Sequence, residues 1–294
     1  MTEPIFQRFT IIGAGLMGTS LALALKEKGA VAHVELCDIS PEALKVAAHR
    51  HAAHGYEPEL ASAVRGAEAV CLATPVGAFA ALVAAIAPQL ETGAILTDLG
   101  SVKGVMARAA HPTLPGHVAL VPAHPLVGGA TSGAGAADAA LFQGARVILT
   151  PEAGAPRTAV DRVAGLWRAI GAEVRELPAD VHDAALAWTS HLPQVVASAL
   201  AATLGDRAEA WGEALFSLSG RGLDDMTRLA GSDPDMWADI LLANRDAIAE
   251  AARGLRRRLD AFAAALEVAD RAAARDLIEA GQAARRRYEA GRRS

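Results

Sequence analysis

Cysteine is nearly absent from this chain: Cys37 and Cys71 are the two in 294 residues, and both fall in apolar, strand-like segments. So small a supply excludes a disulfide-stapled scaffold and points to buried, reduced thiols, as expected in a reducing cytoplasm. Aromatic residues are scarce too, at 4%, which leaves aliphatic side chains and alanine to fill the core. A basic excess is missing: the formal charge is −5, so the chain carries no electrostatic footprint for nucleic acid. Met1 to Phe9 contain no apolar h-region, and no secretory leader is expected. Residues 69–90 hold no charged side chain, but Pro75, Gly77 and Pro88 interrupt them. They read as a buried strand, Ala69 to Thr74, and an alanine-rich helix, and no membrane association is expected.

Apolar residues are plentiful instead. They make up 52% of the chain, enough for a large core and more than one domain. Up to about residue 177, short apolar runs at Val31–Leu36, Ala69–Thr74, Ala94–Thr97, His117–Val121, Arg146–Thr150 and Ala172–Leu177 alternate with helical stretches. That is the pattern of a doubly wound α/β sheet. From Ala179 onward the strand signals stop, and Ala, Leu, Arg and Glu recur at helical spacing, broken at Pro193, Gly205, Gly220–Gly222 and Gly231–Pro234. The chain therefore reads as a Rossmann-type dinucleotide-binding domain over 1–178 and an all-helical domain over 179–294. The arginine-rich end, Ala283 to Ser294, is expected to be frayed.

The sharpest local signal lies near the start. Phe9-Thr10-Ile11-Ile12 runs into Gly13-Ala14-Gly15-Leu16-Met17-Gly18, a helical stretch follows, and Asp38 stands twenty positions after Gly18, at the end of the next strand. Gly13 permits a tight turn, Gly15 lets backbone approach a pyrophosphate, and Gly18 lets helix and strand pack closely. Asp38 can accept both adenosine ribose hydroxyls and would repel a 2′-phosphate, so NAD is preferred over NADP. Leu16, Met17 and Thr74, the last at a strand's carboxyl end, complete the expected cofactor cradle.

Two further strand ends carry unusual polar sequence: Thr97-Asp98-Leu99-Gly100-Ser101-Val102-Lys103 and Val121-Pro122-Ala123-His124-Pro125-Leu126. In an open α/β sheet such ends face the ligand crevice, so Ser101 and His124 are expected to converge there. A serine hydroxyl could fix the His124 tautomer and leave its other nitrogen to accept a substrate hydroxyl proton, with no metal needed. Lys103 reads as a cofactor contact, a solvated residue or a catalytic lysine. His182-Asp183 reads as an orienting pair at the domain junction, and Trp237 as packing at the site's edge. His49, His51 and His54 show no partners for a metal site.

These motifs, taken in order, carry a resemblance. Asp98-Leu99-Gly100-Ser101-Val102-Lys103, His124-Pro125-Leu126 with Ser132-Gly133, Leu149-Thr150-Pro151, Ser190-His191-Leu192-Pro193, and Asp225-Met226-Thr227-Arg228-Leu229-Ala230 with Ser232-Asp233-Pro234 and Trp237 resemble the prephenate/arogenate dehydrogenases of tyrosine biosynthesis. The matches span roughly residues 9–250. The resemblance implies a dimer made through the helical domain and oxidative decarboxylation of a cyclohexadienyl substrate by NAD. It implies His124 as the catalytic hydrogen-bond acceptor, Ser101 and His191 beside it, and Arg228 on a substrate carboxylate. Asp225, three residues earlier, would hold or gate that arginine. It also leads one to expect neither a fused chorismate mutase ahead of Gly13 nor a regulatory domain after Arg258.

The chain departs from the family pattern in two places. Gly129 and Ala130 stand where many relatives carry Thr-Glu, and Gln194 stands where relatives often place a histidine. Two other readings share the same residues: a dehydrogenase of an amino-substituted prephenate in specialised metabolism, and a non-catalytic NAD sensor.

Overall fold

A computed structural model describes residues 3–127, 133–212 and 214–293. Its first half alternates strands and helices: β1 (Phe6–Ile12), α1 (Leu16–Lys28), β2 (Val31–Cys37), α2 (Pro41–His49), β3 (Gly55–Glu57), α3 (Leu60–Val64), β4 (Ala69–Leu72), α4 (Phe79–Ile86), β5 (Ile95–Asp98), α5 (Lys103–Ala110) and β6 (Ala119–Leu120). The six strands form one parallel sheet in the order β3-β2-β1-β4-β5-β6. The order reverses between β1 and β4, which opens a crevice at their carboxyl ends. β4 is buried along its whole length and β1 over most of it, the continuous apolar habit of parallel strands covered on both faces. Phe6, Phe9, Leu25 and Trp167 pack on one side; Leu72, Phe79, Ile86 and Met106 pack on the other. Both cysteines are buried and free.

The expectation of one continuing sheet is corrected beyond β6. β7 (Ala123–Pro125), β8 (Arg146–Leu149) and β9 (Glu173–Glu176) form a separate three-stranded sheet, with β7 antiparallel to β8 and α6 (Arg157–Ala169) joining β8 to β9. The cause is local. Val121 N–H still donates to Leu96 in the main sheet, but Pro122 has no N–H to continue that ladder, and its carbonyl instead accepts from Thr150. His124 thus sits within a strand of the second sheet.

After β9 the described chain is helical: α7 (Ala179–Leu186), a π-helical turn (Ala187–His191), α8 (Leu192–Trp211), α9 (Ala214–Ser217), α10 (Arg221–Thr227), a tight turn (Arg228–Gly231), α11 (Pro234–Ala243), α12 (Arg245–Glu267) and α13 (Arg271–Arg293). Asp233 caps α11, its carboxylate accepting from Met236 N–H at 2.8 Å, with Pro234 in the first turn. The chain divides into two compact units, 1–245 and 246–294. In the second, Leu259, Leu266, Val268 and Ile278 are exposed. The end expected to be frayed and solvated, Ala283 to Ser294, is exposed over 284–291 and helical to Arg293, with an i,i+4 pair Arg285–Glu289. No described helix is long and apolar enough to cross a membrane.

Candidate active site

The glycine-rich turn separates glycines that the protein itself requires from one that it does not. Gly13 has φ +113°, and a Cβ there would meet the Ala73 carbonyl oxygen at 2.5 Å; at Gly18 it would meet the Gly13 oxygen at 1.9 Å. A side chain at Gly18 would push α1 off the Gly13 turn, and one at Gly13 would press on the backbone that follows β4. Gly15 has an ordinary φ of −77°, and a Cβ there would meet nothing within 4 Å among the described residues. The space before Gly15 is open, beside the start of α1, whose cap makes no side-chain hydrogen bond and whose first turn, with Leu16 and Met17, holds no acid. Asp38 binds the same turn: one carboxylate oxygen accepts from Ala14 N–H at 2.6 Å, the other from Ser40 N–H at 2.8 Å. Thr74 Oγ1 is buried without a hydrogen-bond partner among the described residues. Free helix N–H groups, an open approach, an orphaned hydroxyl and a held carboxylate together fit a dinucleotide.

At the end of β5, Asp98 and Lys103 form a fully buried ion pair. Lys103 is therefore neither a solvated residue nor a free base. Burial pushes Lys103 down and Asp98 up, each against the pull of the other. The pair clamps the residue before His124: Lys103 Nζ donates to the Ala123 carbonyl at 2.6 Å, and Asp98 Oδ1 accepts from Ala123 N–H at 3.2 Å. The backbone at His124 is thereby held from the main sheet.

The His124 ring is oriented by a residue that sequence reasoning placed at the domain junction. Its Nδ1 lies 2.8 Å from Nε2 of His182, whose Nδ1 lies 2.8 Å from Oδ1 of Asp183. Burial works against the Asp183 charge, but hydrogen bonds from His182 and from the Lys103 and Gly104 N–H groups outweigh it and hold the carboxyl below its ordinary range. A carboxylate only accepts, so His182 Nδ1 carries a hydrogen, and in the neutral ring its Nε2 is bare. His182 Nε2 then accepts from His124 Nδ1–H, and His124 Nε2 is left with a free lone pair. Burial, with the Lys103 charge and the neighbouring His182 and His191, keeps His124 well below the usual imidazole value. A neutral, oriented imidazole with a bare nitrogen is equipped to accept a proton. No hydrogen bond joins Ser101 to His124 among the described residues; Ser101 stands half-buried just before α5.

His191 ends the π-helical turn, and Pro193 in the first turn of α8 supplies no N–H to mend the register. The ring is buried, edge-on to Trp237 at 6.1 Å, with Asn244 at Nδ1. Gln194 lies one turn further on. Its amide donates to the Leu229 carbonyl at 2.9 Å and its oxygen accepts from Ser232, which ties the Arg228 turn to α8. The Arg228 guanidinium is exposed and without a hydrogen bond or ion pair among the described residues; Asp225 is exposed as well and does not pair with it. The departure at Gly129 and Ala130, and Ser132, lie outside the described residues. His54, of the early histidine group, accepts from Val34 N–H. Sequence reasoning undervalued His182 and Asp183 and passed over Asn244; a His-Asp pair amid Val181, Ala184, Ala185 and Leu186 was the available signal.

Two family models match the chain: prephenate dehydrogenase, nucleotide-binding domain, over residues 21–176, and prephenate dehydrogenase, dimerization domain, over residues 178–280. A cyclohexadienyl dehydrogenase of Zymomonas mobilis is 36% identical over 244 residues, covering 83% of each chain. A prephenate dehydrogenase of Bacillus subtilis is 33% identical over 243 residues, which are 81% of this chain and 64% of that longer one. Among solved structures, the prephenate dehydrogenase from Aquifex aeolicus in complex with hydroxyphenyl propionate and NAD+ superposes with a TM-score of 0.87 at 27% identity, covering 98% of this chain and 99% of that one.

Proposed function

Because the chain belongs to the prephenate dehydrogenase family, we propose that it catalyses NAD-dependent oxidative decarboxylation of prephenate, with arogenate as a second substrate. The single observation that carries this reading is the Asp183–His182–His124 chain, which engages Nδ1 of His124 and leaves Nε2 to accept a proton. Bound NAD supplies the hydride acceptor. Gly13, Gly15, Leu16, Met17, Gly18 and Thr74 form its cradle, and Asp38 receives the ribose hydroxyls, which favours NAD over NADP.

His124 Nε2 takes the proton of the C4 hydroxyl as that carbon becomes a carbonyl. Loss of the C1 carboxylate as carbon dioxide returns an electron pair to the ring, and the phenolic oxygen recovers a proton. Aromatisation supplies the driving force, so the protein's work is orientation and proton transfer. Arg228 offers a planar fork for a substrate carboxylate, with Asp225 flanking it and Ser101 and His191 contributing hydrogen bonds to the substrate.

The boundary between the dinucleotide-binding and helical parts is set at 178/179, supported by the end of β9 at Glu176 and the two family models. A homodimer through the helical half is supported by the second model's description and by the exposed Leu259, Leu266 and Ile278. The buried, free cysteines support a cytoplasmic location.

Steady-state kinetics with NAD and a panel of prephenate, arogenate and amino-substituted prephenate tests the reading. Highest kcat/KM with prephenate or arogenate is expected. Preference for the amino-substituted compound, or no turnover of any, overturns it.

A further inference from the structure

Among the described residues, Nε2 of His191 is a buried nitrogen without a hydrogen-bond partner, on a side chain that is 1% exposed. Whether it carries a hydrogen or a lone pair is decided at the other ring nitrogen. There, Nδ2 of Asn244 lies 3.2 Å from His191 Nδ1 and 2.8 Å from the Asp183 carbonyl oxygen. A carbonyl oxygen can only accept, so the Asn244 group beside it is the NH2, and the second amide hydrogen meets His191 Nδ1. Nδ1 is then the accepting nitrogen of the ring, and the hydrogen of the neutral ring sits on Nε2.

We propose that Asn244 is a positioning residue that fixes His191 as a hydrogen-bond donor at Nε2 to an acceptor oxygen of the bound substrate. The two histidines are set in opposite senses: His124 presents a lone pair and His191 presents an N–H. One residue governs both, since the Asp183 carboxylate orients His124 through His182 and the Asp183 carbonyl holds Asn244. The ligand half of the inference rests on the dehydrogenase reading, in which the C4 hydroxyl donates to His124 and the remaining substrate oxygens are acceptors. An N–H complements those oxygens; a second lone pair would repel them. The groups facing His191 are Asn244, Trp237, Asp183, His182 and His124. Burial lowers His191 to about 4 against the opposing pull of Asp183, so the donor is a neutral N–H near pH 7.

The test is long-range 1H–15N spectroscopy of the full-length protein labelled at histidine, with the His191 signals assigned by their loss in His191→Asn. In the wild type, Nε2 should be protonated and Nδ1 bare. Asn244→Asp places an acceptor at Nδ1; it should move the hydrogen there and lower kcat/KM for prephenate at least tenfold, with the NAD KM within twofold of wild type. A wild-type ring protonated at Nδ1 overturns the proposal, as does an Asn244→Asp protein with unchanged His191 signals or unchanged kinetics. The wild-type spectrum decides the tautomer even if the variant does not fold. It also needs no substrate, so an Nε2-protonated His191 in a protein inactive on prephenate would refute the reaction while leaving the tautomer assignment standing.

Discussion

His182 Nε2 lies 2.8 Å from His124 Nδ1, both side chains are buried, and the rings meet edge to face at 72°. With Asp183 behind it, this contact makes His124 the last member of a three-residue chain that begins at a charge and ends at a lone pair.

Replacing the charge should break the chain while sparing most of the packing. Asp183→Asn keeps the side-chain size and can still accept from one α5 N–H, but it no longer obliges His182 to donate. In a Ser-His-Asp triad the corresponding change presents the wrong tautomer and costs about 10,000-fold. Here the effect passes through one more ring, so a fall in kcat of about 10- to 1,000-fold is expected, with the NAD KM nearly unchanged. Wild-type turnover in this variant would remove the chain from the mechanism.

If His124 is the proton acceptor, its depressed value sets the acid limb of activity. As the base form persists below the ordinary imidazole range, kcat/KM for prephenate should stay level as pH falls through 6.5 and decline only at lower pH. A decline centred at 6.5 or above would show that His124 is not the group titrating, or that burial does not depress it.

Asp38 accepts from both Ala14 and Ser40, so its carboxylate is held in place before any ribose arrives. Asp38→Ser should raise the NAD KM and relax discrimination against NADP, without changing kcat by more than a few-fold. Comparable use of NADP and NAD by the wild type would contradict this assignment.

Arg228 has no protein partner for its guanidinium among the described residues, so removing it leaves no buried charge unpaired. If it grips the carboxylate common to prephenate and arogenate, Arg228→Ala should weaken both by similar factors, chiefly in KM. Hydrogen bonds to charged groups are worth about 1.5–3 kcal/mol each, which sets a loss of roughly 10- to 200-fold per bond. An effect on one substrate alone would place Arg228 at the side-chain end.

What was legible in the sequence was what neighbouring residues decide. The Gly13-to-Gly18 turn, Asp38 and the strand preceding each are short-range patterns, and the structure builds them as read. His124 was legible as a polar interruption of an apolar run. Its orienting partner was not, because His182 lies 58 residues away. Asn244 reaches His191 across 53 residues, and Lys103 reaches Ala123 across 20. The second sheet was hidden for another reason: the strand was read as ending at Val121, and nothing local shows that the chain beyond Pro122 pairs with Arg146–Leu149. The arginine-rich end read as frayed because its charges dominate its composition; the i,i+4 pair Arg285–Glu289 supports the helix there.

The central claim is that this chain oxidatively decarboxylates prephenate with His124 as the proton acceptor. Its most direct test is the absorbance of NADH at 340 nm on mixing purified protein with NAD and prephenate, wild type beside His124→Asn, with carbon dioxide measured in parallel. The account expects NADH and carbon dioxide in equal amounts from the wild type. It expects turnover lowered about 100- to 10,000-fold in His124→Asn, with NAD binding preserved. No NADH from the wild type, or a His124→Asn protein that keeps most of its turnover, would contradict it.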